Sequence, residues 1–386
     1  MQKQLTDASQ PEKARHLSRW RLGVLLLMLF AFLGASYAFL QPPRRSNSLP
    51  PILYVAEDEA GLYQLFLTDP PDWQPRQLTE ETAVLLNYAP APSGTQIAYA
   101  SKLSNGDSQI KLLPLNGSSE TVLTCEIAEC AQPVWHPDGR RLLYERREPP
   151  NFSRPQLWWL DTFTGETRLL LENETAVGSN ARFSPDGNWV AFAGSPDEGV
   201  RLYNFADGRF HTFPSNIGTP AAWHPLGNQL LFQNSRTVVF HGEDNDDHDE
   251  HSHDFAVGVS LYLGNLNSDS DSRLLSEDGA FNDGNAAWSP DGEWIAFGRR
   301  LAGTNTGRQL WLMRANGSEV RALTDDISFH YGPPSWSPDG RFLLFQQFDS
   351  NTPDQPPIVR LLEIASGTFT QITTHGLLPA FLLTTE

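Results

Sequence analysis

The chain has 386 residues, 39% of them hydrophobic and 11% aromatic, which is enough to bury one large core or two ordinary ones and excludes a disordered protein. Its formal net charge is −18, and residues 1–45 carry seven Lys/Arg against Asp7 and Glu12, a net +5, so the remainder stands near −23. A body so acidic repels phosphate backbones at long range, and nucleic acid is excluded as a partner.

Residues 1–21 form a basic N-terminus, followed from Leu22 to Leu40 by nineteen uncharged residues, "LGVLLLMLFAFLGASYAFL". As a helix this run is about 28 Å long, close to the hydrocarbon thickness. Lys3, Lys13, Arg15, Arg19 and Arg21 precede it and only Arg44 and Arg45 follow, so the positive-inside bias keeps the N-terminus cytoplasmic. The expectation is a single-pass cell-membrane protein anchored through 22–40, its body extracytoplasmic beyond a Pro/Ser linker at 41–51. A cleaved signal is the alternative, because Ser36-Tyr37-Ala38 offers small residues at cleavage-like spacing and would leave the body secreted or periplasmic.

Residues 52–386 are dominated by internal repetition. "AAWSPDGEWIAFG" from Ala286 recurs as "PVWHPDGRRLLYE" from Pro133, "ARFSPDGNWVAFA" from Ala181, "AAWHPLGNQLLFQ" from Ala221 and "PSWSPDGRFLLFQ" from Pro334, with a worn copy, "APAPSGTQIAYA", from Ala89. The shared proline falls at Pro92, Pro137, Pro185, Pro225, Pro290 and Pro338, at intervals of 45, 48, 40, 65 and 48 residues. Each unit reads as four short strands: one ending at the aromatic before Pro-Asp-Gly, an apolar second, an alternating third such as "QLWLM" from Gln309, and a fourth reached through a tight hairpin such as Asn316-Gly317. Repeats of this length and content are propeller blades.

"ILYVA" from Ile52, "YQLFL" from Tyr63 and "RQLT" from Arg76 read as strands two to four of a unit without a first strand, and "LLPAFLLTT" from Leu377 reads as a first strand without successors. Together they complete one blade. The fold class is therefore all-β: a β-propeller of four-stranded blades, seven in number with six as runner-up if the worn copy at Pro92 fails to form a blade, preceded by one N-terminal transmembrane helix.

The unit "WSPDG…IAF…LWLM…NG…LT" resembles the TolB-type propeller repeat and is similar to the propeller of prolyl oligopeptidase-like peptidases, over nearly all of residues 52–386. The TolB resemblance implies a non-catalytic propeller working with protein partners at the cell envelope. TolB proteins carry an α/β domain before the propeller, whereas here the apolar run and linker lead straight into a blade. The peptidase resemblance implies a nucleophilic serine in G-x-S-x-G, a motif this sequence lacks. His136 and His224 stand in the turn position that other copies give to serine and read as turn caps.

Cys125 and Cys130 flank "EIAE" between two blades and read as a local disulfide in an exported body, with a metal pair or redox centre as alternatives. The 65-residue interval holds an insertion between the second and third strands of one blade, "HGEDNDDHDEHSHD" at 241–254. His241, Asp246, His248, His251 and His253 suit zinc or another borderline divalent metal. A solvated acidic insertion and a pH-responsive loop are the alternatives; a calcium loop fits less well, lacking the sixth-position glycine. No cofactor beyond such a metal is implied.

In an up-and-down blade the link between strands two and three shares an end with the passages between blades. That end carries the long, dissimilar loops, so it is the expected partner face, with Arg146, Arg147, Phe152 and Phe348 as contact residues. The reading is a non-catalytic protein-binding scaffold at a membrane, with a divalent-metal module and a propeller hydrolase as alternatives; the sequence leaves the oligomeric state open.

Overall fold

The structure is a computed structural model that describes residues 49–150, 154–171, 177–195, 197–219, 221–240, 254–266, 272–276 and 279–383. The segments 1–48 and 241–253, which hold the apolar run and the His/Asp insertion, lie outside the described residues.

Among the described residues the strands form seven sheets of one plan, each a four-stranded antiparallel path. Blade one is built from both ends of the ring: Leu377–Phe381 pairs with Ile52–Glu57, followed by Tyr63–Asp69 and Gln74–Gln77. The worn copy forms a complete second blade, Val84–Pro90, Gln96–Lys102, Ser108–Pro114 and Glu120–Cys125. Blades three to seven start at Glu129, Ser179, Ala222, Phe281 and Phe329, and the innermost strand of the seventh is broken into Phe329–Tyr331 and Ser335–Trp336. Seven blades is thus the observed count.

The repeated turn explains the repeated sequence. In Ser-Pro-Asp-Gly the hydroxyl of Ser337 donates to Asp339 Oδ1 at 2.6 Å and accepts the N–H of Phe342 at 2.9 Å, while Asp339 Oδ1 accepts the N–H of Arg341 at 3.0 Å. Ser184 and Ser289 repeat the arrangement with Asp186 and Asp291. The next residue turns back with φ of +72° at Gly340 and +73° at Gly292, a conformation that favours glycine. His136 and His224 cap the same turn, Nδ1 accepting the N–H of Asp138 at 3.2 Å and of Leu226 at 3.1 Å. Burial lowers the pKa of His224, while a hydrogen bond from its ring to the Gly292 backbone opposes the shift.

The tryptophan before the turn ties the blades together. The indole N–H of Trp135 donates to Ala89 O at 3.0 Å, Trp223 to Arg182 O at 2.9 Å, Trp288 to Ala222 O at 3.2 Å and Trp336 to Ala287 O at 3.0 Å, in every case on the innermost strand of the preceding blade or directly beside that strand's end. Each of the seven seams also has its own apolar cluster, such as Ala296, Leu310, Leu312, Tyr331, Leu343 and Phe345 between blades six and seven. The core is therefore a ring of seams rather than a central ball.

Two outcomes follow. Deleting residues 376–386 removes buried Phe381 and Leu382, bares the edge of Ile52–Glu57, and should lower the melting temperature by on the order of 10 °C; an unchanged melting curve would refute the closure. Trp288→Phe keeps the ring but leaves Ala222 O without its donor, and urea unfolding should register a loss of about 1–2 kcal/mol.

Candidate functional site

Strand direction alternates along each blade, so the capped turns and the hairpins between strands three and four share one face of the ring. That face is uniform, with left-handed glycines at Gly165, Gly208, Gly317 and Gly367 closing the hairpins. The opposite face is not. In blade five the strands Gln229–Phe240 and Asp254–Asn265 run far past the blade body, pairing from Gln229↔Asn265 to Phe240↔Asp254. The stretch beyond Ser235↔Val259 runs on for roughly 17 Å at the usual rise per residue.

On the same face Cys125 and Cys130 are joined by a disulfide across a Cα–Cα distance of 6.2 Å. Both are buried, and Ser108 Oγ accepts the N–H of Cys130 at 2.6 Å while donating to Ala128 O at 2.9 Å. The loop so held presents Ile127, which is 71% exposed.

Arg146 and Arg147 end the second strand of blade three, and they play different parts. Arg146 lies over Trp158, 5.1 Å from its ring centre, and pairs with exposed Glu148 at 2.8 Å. Arg147 pairs at 2.7 Å with Glu145, a buried carboxylate that also accepts the N–H of Asn180 at 2.8 Å from blade four. Asn180 has φ +56° in a bulged inner strand, and its amide reaches Gly218 O at 2.7 Å. Arg147 thus braces a seam, whereas Arg146 is only part-exposed and is held by Trp158 and the exposed Glu148. Phe348 is half-buried edge-on against His330, ring centres 5.7 Å apart. Phe152, His241, Asp246, His248, His251 and His253 lie outside the described residues, and no group of three or more His, Cys, Asp or Glu among the described residues is arranged to hold a metal.

Two further buried pairs had no counterpart in the sequence reading. Glu81, in the passage from blade one to blade two, takes Lys111 Nζ at 2.8 Å on both oxygens and the hydroxyl of Tyr99, whose pKa burial and this acceptor push upward. Asp283 is gripped by Arg299 through two bonds of 2.7 Å, with the guanidinium packed among Phe281, Phe297 and Trp311. The visible signal was only "RR" at the end of an apolar strand; the partner carboxylate sits sixteen residues earlier in the chain.

Residues 167–204 match the family model "WD domain, G-beta repeat". An uncharacterized protein of Agrobacterium fabrum is 26% identical over 251 residues, 62% of this chain and 78% of that protein. TolB from Acinetobacter baumannii superposes with a TM-score of 0.50 at 17% identity over 86% of this chain and 66% of TolB, so the chain spans just under two thirds of that protein. A puromycin-hydrolyzing peptidase of Mycobacterium tuberculosis gives 0.61 at 14% identity, over 84% of this chain and 52% of the peptidase. The propeller domain of the trilobed protease of Pyrococcus furiosus gives 0.56 at 14% identity, over 87% and 95%.

These findings correct the expected single-pass membrane location. No helix among the described residues is long and apolar enough to cross a membrane, and the likeness over most of the chain is to a TolB propeller. A nineteen-residue apolar run is shared by anchors and export signals, so hydropathy alone overstated the anchor; residues 22–40 themselves lie outside the described residues. In strand order, blade architecture and likeness, the chain has a TolB-like β-propeller fold.

Proposed function

We propose that the protein is a non-catalytic scaffold that docks a protein partner on the loop-rich face of its propeller. The observation that carries this reading is the contrast between the two faces: near-identical capped turns on one, and on the other a projecting hairpin, a disulfide-held loop and dissimilar links. Elaboration confined to one face of a rigid ring is the pattern of a binding surface. The non-catalytic part rests on the buried carboxylates, since Glu81, Glu145 and Asp283 are each engaged by Lys111, Arg147 and Arg299 rather than held open for a reacting group.

Divalent-metal capture by His241, Asp246, His248, His251 and His253 is a second reading, favoured by one observation. Backbone pairing continues to Phe240↔Asp254, so both ends of the His/Asp segment are already brought together and closing it on an ion costs less chain entropy.

Each reading has its own test. Arg146→Glu leaves the buried Glu145–Arg147 pair in place and should weaken capture of the native partner about fivefold, the value of roughly 1 kcal/mol at a part-exposed charge. Asn316→Asp on the turn face should change capture little, and the reverse ranking would move the site to the other face. For the metal, calorimetric zinc titration of the full chain should show saturable binding that disappears when residues 241–254 are replaced by Asn-Gly; equal heats from both proteins would make the segment a solvated insertion.

A further inference from the structure

The seam between blades six and seven holds a group of basic side chains that the docking argument does not use. Arg299 pairs in register with Gln309, so the next rung sets Arg300 opposite Arg308. Two cations directly across a strand pair destabilise it unless something neutralises them. Both arginines fall on the side of the sheet whose next residues inward, Ala296, Leu310 and Leu312, pack against Tyr331 and Phe345 of blade seven. His330 of blade seven closes the group, with Nδ1 accepting the N–H of Arg308 at 3.3 Å.

The backbone is shaped around Arg308. Gly284 and Gly298 are paired across the two inner strands of blade six, and a methyl group at Gly298 would overlap Cδ of Arg308. At Gly284 it would lie 2.9 Å from Arg308 Nη1 and would also overlap the Gln233 amide oxygen. The glycine pair is therefore a trough that carries the arginine stem toward the innermost strand and sets its guanidinium near Gln233 of blade five.

Among the described residues no carboxylate compensates the two arginines. Among the described residues neither Arg300 nor Arg308 forms an ion pair, and Asp283, the acid whose field reaches Arg308, is already held on both oxygens by Arg299. Arg300 Nε is buried without a hydrogen-bond partner. Burial, then the charges of Arg308 and Arg300, lower the pKa of His330, so near neutral pH its ring is uncharged. Because Nδ1 accepts from Arg308, the ring proton sits on Nε2 as one more donor. In a chain of net charge −18, these two guanidinium groups and a donor imidazole at one seam leave a charge of +2 that no carboxylate among the described residues pairs.

We propose that this seam is a binding site for a doubly charged oxyanion, seated between Arg300 and Arg308 with His330 donating beside them. Guanidinium forks suit the paired oxygens of such a group, and a dianion matches the two uncompensated charges. The chemistry is shared by a phosphate group and a compact dicarboxylate, which the test separates.

The full chain is titrated by calorimetry at low ionic strength with inorganic phosphate and, separately, with succinate, against a sodium chloride control of equal ionic strength. Saturable binding of at least one probe is expected, at least tenfold weaker in both Arg300→Gln and Arg308→Gln and unchanged in Arg140→Gln on the turn face. Preference for phosphate assigns a phosphate-bearing ligand, and preference for succinate a dicarboxylate. Far-ultraviolet melting shows that each variant is folded. If Arg308→Gln fails to fold, Arg300→Gln decides alone. Absence of saturable binding by either probe, or equal binding by folded wild type and variants, overturns the proposal.

Discussion

Closure of the ring is the constraint on which the rest depends. A blade cannot bury both faces of its sheet alone, so each leans on its neighbours, and the series is stable only when the last seam is made. The pairing of Ile52–Glu57 with Leu377–Phe381 makes that seam from the two ends of the repeat region, and Leu382 N–H to Pro51 O at 2.8 Å fastens it further. Tyr88 of the second blade reaches the carbonyls of both Leu53 and Leu378, so the closing strands are also held from the side. The indole ties then carry the same register from blade to blade. With every inner strand fixed, the loops beyond them can differ freely without loosening the ring.

Charge is distributed in keeping with this design. Acid is spread over the surface, where it keeps the body solvated, while the buried carboxylates inside the seams are matched: Glu81 with Lys111, Glu145 with Arg147, Asp283 with Arg299. Such pairs contribute little net stability compared with apolar packing, but breaking one leaves a buried charge and is costly. They therefore fix how neighbouring strands meet. Arg300 and Arg308 lack such a carboxylate partner among the described residues, and Arg360 of blade seven likewise forms no ion pair there.

The blades were legible because their chemistry is local. Ser, Pro, Asp and Gly within one turn satisfy each other, so the sequence repeats wherever the turn does, and even the worn copy at Pro92 keeps Gly94 with φ +66°. The closing blade was legible because its two incomplete parts complement each other. The seam chemistry was not. Asp283 and Arg299 meet only because the inner strand bulges between Gly284 and Ala287, and a bulge resets which side each residue faces. The roles of Arg146 and Arg147, adjacent in sequence, separate because alternate residues of a strand face opposite seams. The apolar run at 22–40 misled for a different reason: hydropathy measures length and apolarity, which do not distinguish an anchor from a signal.

Hydrogen exchange with and without the bound native partner tests the central claim, a rigid ring that binds through its elaborated face. The account predicts slow exchange around all seven inner strands in both states, with added protection confined to the blade-five hairpin, the Cys125–Cys130 loop and the links beside them. Added protection at the Pro-Asp-Gly turns, with the loop-rich face unchanged, would contradict it.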